Sequence, residues 1–268
     1  FTFMGIAVKY LPRIPTYEKV FFRNSVSFIT SAYILYKTRE SIKVAKENIP
    51  FVFGRSFFGF VGMMANFYAL ENLTMAEANM LNKLSPVFVT ICACIFLKEK
   101  VDKKQVMGIV LMLVAVVFVI KPSFSPEVIP SLAGLFSAVL AGFSYTIIRY
   151  LYGKVKAEIN VFYFSLLSVV CTFPLMMMNF VKPNLFEIFM LVVGIGVSAA
   201  MGQFGLTYAY TFAPASEVSI YNYVIIITSM LMDYILFSTI PDLFSFIGGF
   251  IIMTTAIYLY LHNKKKEE

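Results

Sequence analysis

The sequence predicts an all-α, polytopic membrane protein of ten transmembrane helices, arranged as two inverted five-helix repeats with the first helix truncated at its start. Three observations predict it. Hydrophobic residues make up 59% of the 268 positions and the mean hydropathy is +0.80, where soluble domains are about half apolar and more highly charged. The basic residues gather in short clusters between the apolar runs. The chain also matches itself when slid by 140 positions.

Apolar runs of about 20 residues mark helices that can cross a bilayer. In order they fall at 18–36, 51–72, 74–97, 105–121, 131–152, 159–180, 185–212, 214–238 and 241–262. Ahead of them stands "FTFMGIAV", too short to cross, which reads as the end of a helix whose N-terminal half precedes Phe1. With neither a basic n-region nor a small-residue cleavage site, it lacks the form of a signal peptide.

Loop charge sets the orientation. Lys37, Arg39, Lys43 and Lys46 share one loop; Lys98, Lys100, Lys103 and Lys104 share another; Arg149, Lys154 and Lys156 a third; and a lysine run closes the chain. All fall on one side if the N-terminus is inside. The opposite side receives Lys9, Arg13, Lys19, Lys121 and Lys182, so the positive-inside rule places both termini in the cytoplasm. The net charge of +7 is therefore an orientation signal rather than a nucleic-acid surface. Arg23, Arg55 and Lys83 remain, and they lie within the membrane.

The 140-residue offset pairs Glu18 with Glu158, Gly54 with Gly194, Tyr68 with Tyr208, Glu77 with Glu217, Asn82 with Asn222, Asp102 with Asp242 and Gly108 with Gly248. Two homologous halves follow, residues 1–121 and 131–268. An odd number of helices per half turns the second half upside down. The charges agree, since "KEKVDKK" at 98–104 is basic and its counterpart "STIPDLF" at 238–244 is not. Inverted repeats of this kind rock about a site near the bilayer midplane in secondary transporters.

Candidate binding residues lie on the polar stripes of these helices. Lys83 lies nine residues beyond Thr74, about 14 Å into a hydrocarbon core about 30 Å thick. An ammonium facing lipid there would cost about 2.5–3.5 kcal/mol, so it should face a protein-lined or wet interior. Asn79, Asn82, Lys83 and Pro86 share one face of the helix, and Ser219, Asn222 and Tyr223 are their counterparts in the second half. Arg55 and Asn66 make a similar stripe with Gly59 and Gly62. For Arg55 two readings stand side by side, a cavity and snorkelling toward the inner surface. Gln203, Tyr208 and Tyr210 complete the candidate lining.

In the second half an aromatic or apolar residue replaces each intramembrane cation, which suits a substrate with one anionic end and one aromatic, apolar or cationic end. Glu217 and Asp233 are candidate proton-coupling carboxylates, although Glu217 also reads as a first-turn carboxylate favoured by the helix dipole.

Enzyme chemistry finds no footing. His262 is the only histidine, and Cys92, Cys94 and Cys171 sit in apolar runs without metal-ligand or disulfide spacing. The expected partners are a small-molecule substrate and the lipid bilayer, with no nucleic acid, no cofactor and no metal, as a monomer or a homodimer.

The segments "FFRNSVSF", residues 54–122 and "GLTYAYTFAPASEVSIYNY" resemble the EamA-type members of the drug/metabolite transporter superfamily. The resemblance implies ten helices in two inverted halves, alternating access and a central cavity for small organic solutes. Its marker positions fall on Arg23, Arg55, Ala69, Pro86, Glu99, Gly108, Ala209 and Gly248. The chain departs from the pattern at Ile226 and Thr239, where the second half would repeat the proline and acidic markers. The leading expectation is a secondary carrier for a small polar or zwitterionic metabolite. A multidrug or waste-product exporter and a non-transporting scaffold or sensor are the alternatives. Composition and resemblance together suggest a bacterial inner membrane, while the final "KKEE" would also match a dilysine retrieval signal in a eukaryote.

Overall fold

A computed structural model describes residues 1–96, 102–120, 128–212 and 224–267, and among them the regular structure is helical, without a strand. The order is α1 (Thr2–Lys9), α2 (Thr16–Lys37), a 3-10 turn (Lys46–Asn48), α3 (Ile49–Asn72), α4 (Met75–Asn82), α5 (Ser85–Phe96) and α6 (Lys103–Ile120). Then come α7 (Val128–Tyr150), α8 (Ala157–Met178), α9 (Leu185–Phe189), a π-helical stretch (Met190–Val197), α10 (Ser198–Phe212), α11 (Val224–Phe237) and α12 (Leu243–Glu267). Six stretches are long and apolar enough to cross a membrane: Met75–Phe96, Lys103–Ile120, Val128–Tyr150, Ala157–Met178, Leu185–Ala209 and Leu243–His262. At 22 and 24 residues, α2 and α3 are as long, about 33–36 Å.

Local chemistry sets several boundaries. Thr74 and Glu77 form a capping box that starts α4, and Asn184 and Glu187 do the same for α9. Pro15 precedes α2, where its fixed φ and missing N–H cost nothing.

Two expectations need correction. The run 74–97 is not one continuous helix: it breaks at Lys83 and Leu84 between α4 and α5. Pro86 has no N–H for the Asn82 carbonyl, and Leu84 and Val87 instead bond three residues back, to Leu81 at 3.2 Å and Leu84 at 2.9 Å. The run 185–212 is continuous but widens into a π-helix at Met190–Val197, where Gly194 packs on Ala7 and Gly196 on Val26.

The chain divides into two compact units whose boundaries fall inside α3 and α7: Phe1–Phe67 with Ser144–Phe212, and Tyr68–Phe143 with Ala213–Glu268. In the first, α2 lies along α8 and the π stretch, and α1 lies on the π stretch and α10. In the second, α6 lies along α12, and α11 packs on α4.

Some helix boundaries recur at a fixed offset along the chain. Shifted by 141 residues, α2 coincides with α8, and shifted by 140, the start of α6 coincides with that of α12. These matched helices pack against each other in antiparallel fashion. Phe28 meets Phe162 while Phe21 meets Phe173, and Gly108 meets Leu259 while Gly248 meets Val119. The polar positions recur as well, since Asn24, Ser27 and Ser31 of α2 correspond to Ser165, Ser168 and Thr172 of α8, all buried.

The burial pattern is inverted relative to a soluble protein. On α2 the buried residues include Glu18, Lys19, Arg23 and Asn24, whereas Phe173 on α8 is 48% and Met178 78% exposed. Val106, Val110 and Val117 on α6 are likewise exposed. Polar interior and apolar exterior are what a hydrocarbon solvent selects.

Close approach of α7 to α5 depends on Gly142. A Cβ there would lie 2.5 Å from the Phe88 Cβ and 3.0 Å from its backbone carbon. Gly142→Ala should therefore destabilise the protein by about 1–3 kcal/mol in thermal or denaturant unfolding. Gly205→Ala, with nothing within 4 Å, should be neutral or stabilising.

Candidate functional site

In the first unit, two guanidinium groups lie on one aromatic ring. The Arg55 guanidinium carbon is 4.2 Å from the centre of the Phe164 ring and that of Arg23 is 5.8 Å away. Arg55 is 2% and Arg23 4% exposed, so the snorkelling reading of Arg55 fails. Gly59, one turn beyond Arg55, makes room for the ring, since a Cβ there would stand 3.1 Å from Phe164.

Arg23 is held in place by its neighbours. Its Nη1 donates to Asn24 Oδ1 at 2.8 Å and its Nη2 to Gln203 Oε1 at 3.4 Å. Gln203 donates in turn to Thr207 Oγ1, and Asn24 to the Val20 carbonyl. Arg55 is held differently, through its backbone carbonyl, which accepts a hydrogen bond from Ser144 at 3.1 Å. Among the described residues the Arg55 Nε and Nη1 and the Arg23 Nε have no hydrogen-bond acceptor. No carboxylate among those residues pairs with either arginine.

The magnitudes do not balance without a further partner. A cation–π contact gives about 0.5–2 kcal/mol, while taking an ion out of water costs several kcal/mol even after relaxation. The ring offsets part of that cost, and the free N–H groups are left to attract an acceptor.

Farther along the same face of α3, the Asn66 Oδ1 is buried and also without a donor. Tyr208 on α10 donates its hydroxyl to Glu158 Oε1 at 2.6 Å.

In the second unit, Lys83 caps α4 at the break in the span. Asn82, just before it, donates to Ser137 Oγ at 3.1 Å. Asn79 is committed to helix packing, donating to the Met75 carbonyl and to Ser229 Oγ at 2.9 Å. Asp233 is fully buried, and its two oxygens accept the Met75 and Ala76 backbone N–H groups at 3.2 and 2.8 Å. It thus caps α4 from a neighbouring helix. Glu77 accepts from Thr74 and from Ser245.

Of the sequence-predicted residues, Arg55, Asn66, Gln203 and Tyr208 lie in the first unit, and Asn79, Asn82, Lys83 and Asp233 in the second. Glu217, Ser219, Asn222 and Tyr223 lie outside the described residues. Sequence reasoning marked Arg23 as an intramembrane cation without placing it beside Arg55. It missed Phe164, one of 29 phenylalanines, and Asn24 and Ser229.

Helices with apolar exteriors and buried ionic groups define a multi-pass membrane protein, and polar clusters within its spans mark a solute carrier rather than a lipid anchor. Residues 1–121 match the EamA-like transporter family.

Relatives extend the match past that half. The pseudopaline exporter CntI of Pseudomonas aeruginosa is 28% identical over 247 residues, covering 92% of this chain and 86% of its own. The S-adenosylmethionine uptake transporter of Rickettsia conorii is 26% identical over 266 residues, covering 96% and 87%. One solved crystal structure superposes with a TM-score of 0.68 over 97% of this chain and 95% of its own, at 16% identity, which speaks to the fold alone.

The Asp233 cap can be tested by substitution. An amide offers one acceptor where the carboxylate offers two, so Asp233→Asn should cost about 1–3 kcal/mol in unfolding. Replacement of the exposed Tyr234 by Phe should leave stability unchanged.

Proposed function

We propose that this protein is a secondary transporter that moves a small polar or zwitterionic organic metabolite by alternating access. The observation that carries this reading is the broken span. Irregular backbone is tolerated at membrane depth where it lines protein or water, and broken helices are where transporters bind polar solutes. Here the break holds an ammonium group and a carbonyl freed by Pro86. The antiparallel packing of matched helices, α2 on α8 and α6 on α12, supports an inverted repeat of residues 1–121 and 131–268. Both named relatives carry small metabolites by their own names, in opposite directions, so they support a metabolite as substrate and leave the direction open.

In this reading Asn82, Lys83 and Asn66, with Ser219, Asn222 and Tyr223 of the second half, contact the solute, and Gln203 and Tyr208 shape its surroundings. The buried cations favour a substrate with fixed charge over the apolar cargo of a multidrug exporter. Loop charge supports cytoplasmic termini, and the bacterial origin of both relatives supports an inner-membrane location. Proton coupling rests on Glu217 and Asp233. Protonating Asp233 would weaken its bonds to the first turn of α4, the half-helix that ends at Lys83.

Two measurements test the proposal. A thermal-shift screen of the purified full chain against amino acids, amines and nucleosides identifies candidate substrates, whose uptake is then followed in proteoliposomes. Lys83→Met should lower that uptake at least tenfold at unchanged protein level, and Asp233→Asn should flatten its pH dependence. In a background without Cys92, Cys94 and Cys171, Asn82→Cys should react with an impermeant maleimide from either side of the membrane, at rates that substrate shifts. Labelling from one side only, whatever the ligand, would contradict alternating access.

A further inference from the structure

We propose that Arg23 and Arg55, standing on the Phe164 ring, form a binding site for the oxyanion end of the transported metabolite. This rests on the transporter reading and assigns a chemical group to one place within it.

The inference starts from donors without acceptors. Arg55 Nε and Nη1 and Arg23 Nε are buried with no hydrogen-bond partner. A guanidinium cannot shed its charge as an ammonium can, so burial leaves it seeking an anion. The two guanidinium carbons lie 4.2 and 5.8 Å from one ring centre, which bounds their separation at about 10 Å. A carboxylate or phosphate oxygen pair matches the planar fork of N–H groups, whereas a single halide does not use its geometry.

The surroundings hold this arrangement ready. Gln203 and Asn24 occupy the Nη2 and Nη1 of Arg23 and leave its Nε free. Ser144 anchors Arg55 through the backbone, and the Nε and Nη1 of its guanidinium stay without an acceptor. Phe164 supplies an apolar floor and a π-face, which stabilises the cations while empty and offers no competing acceptor. In α8 this ring takes the position that Arg23 takes in α2, 141 residues earlier, so the second half supplies the platform and the first half the charge.

The residues of the site, Arg23, Asn24, Arg55, Ser144, Phe164 and Gln203, all lie in one unit. The broken span at Lys83 belongs to the other unit, and the two make different predictions.

The test uses the purified full chain in detergent at constant ionic strength. Sodium succinate and sodium phosphate should raise its melting temperature with saturation, while succinamide and added sodium chloride should not. Arg55→Met should weaken the response to succinate at least tenfold in concentration. In the absence of ligand it should melt close to the wild type, because the burial cost of the charge it removes offsets the contacts with the Phe164 ring and Tyr145. Arg23→Gln should weaken the response in the same way.

An equal response in wild type and Arg55→Met overturns the proposal, as does a saturating rise with chloride, which would mark a resident counter-ion. A marked loss of ligand-free stability in Arg55→Met would show a structural partner for that charge and would also overturn it. Uptake in proteoliposomes separates this claim from the one beneath it. Transport of a solute without an oxyanion, unchanged by Arg55→Met, leaves the transporter reading intact and removes the site. Oxyanion binding through Arg55 with no solute crossing the membrane removes the transporter reading instead.

Discussion

A hydrocarbon solvent offers no hydrogen bonds, and the architecture follows from that constraint. Each buried polar group must find a partner inside the chain or hold a place for one that arrives. The α2–α8 pair obeys it through serine and threonine hydroxyls turned back on their own helices: Ser27 on the Arg23 carbonyl, Ser168 on that of Phe164, Thr172 on that of Ser168. The carboxylate of Asp233 obeys it by capping α4. Arg55 stands out against this rule. Its side chain is buried too, and its Nε and Nη1 are unmet.

That contrast separates scaffold from site. Asn79 is a polar residue in mid-span, yet its amide is used by Ser229 and by its own helix, so it joins α4 to α11. Asn82 and Lys83, three and four residues further on, sit where the helix has come apart. The break and the arginine pair each place polar groups inside the membrane.

Much of the fold was legible in the sequence because hydropathy and loop charge act over long windows. The helix runs at 18–36 and 159–180 agree with α2 and α8 to within a few residues, whereas the capping box at Thr74 and Glu77 went unread. The break after Asn82 was less legible. A proline inside an apolar run bends a helix in one setting and parts it in another, and the backbone bonds decide which.

The site was legible by charge and illegible by contact. A cation in a membrane helix is visible in the sequence, so Arg23, Arg55 and Lys83 could be singled out. Which aromatic ring lies beneath a guanidinium depends on the register of two helices more than 100 positions apart in the chain, and Phe164 has no mark of its own among 29 phenylalanines. The unpaired state of Arg55 also exists only in three dimensions, because it is a statement about every neighbour at once.

The state of those guanidinium groups can be observed without assuming any substrate. With the full chain in lipid nanodiscs and arginine labelled with nitrogen-15, the Nε–H resonances of Arg23 and Arg55, assigned by substitution, can be followed as sodium succinate is added. The account predicts that both shift together with saturation and become protected from solvent exchange. If both stay fixed through the titration while the protein remains folded, these arginines do not receive an anion, and the polar interior described here is scaffold alone.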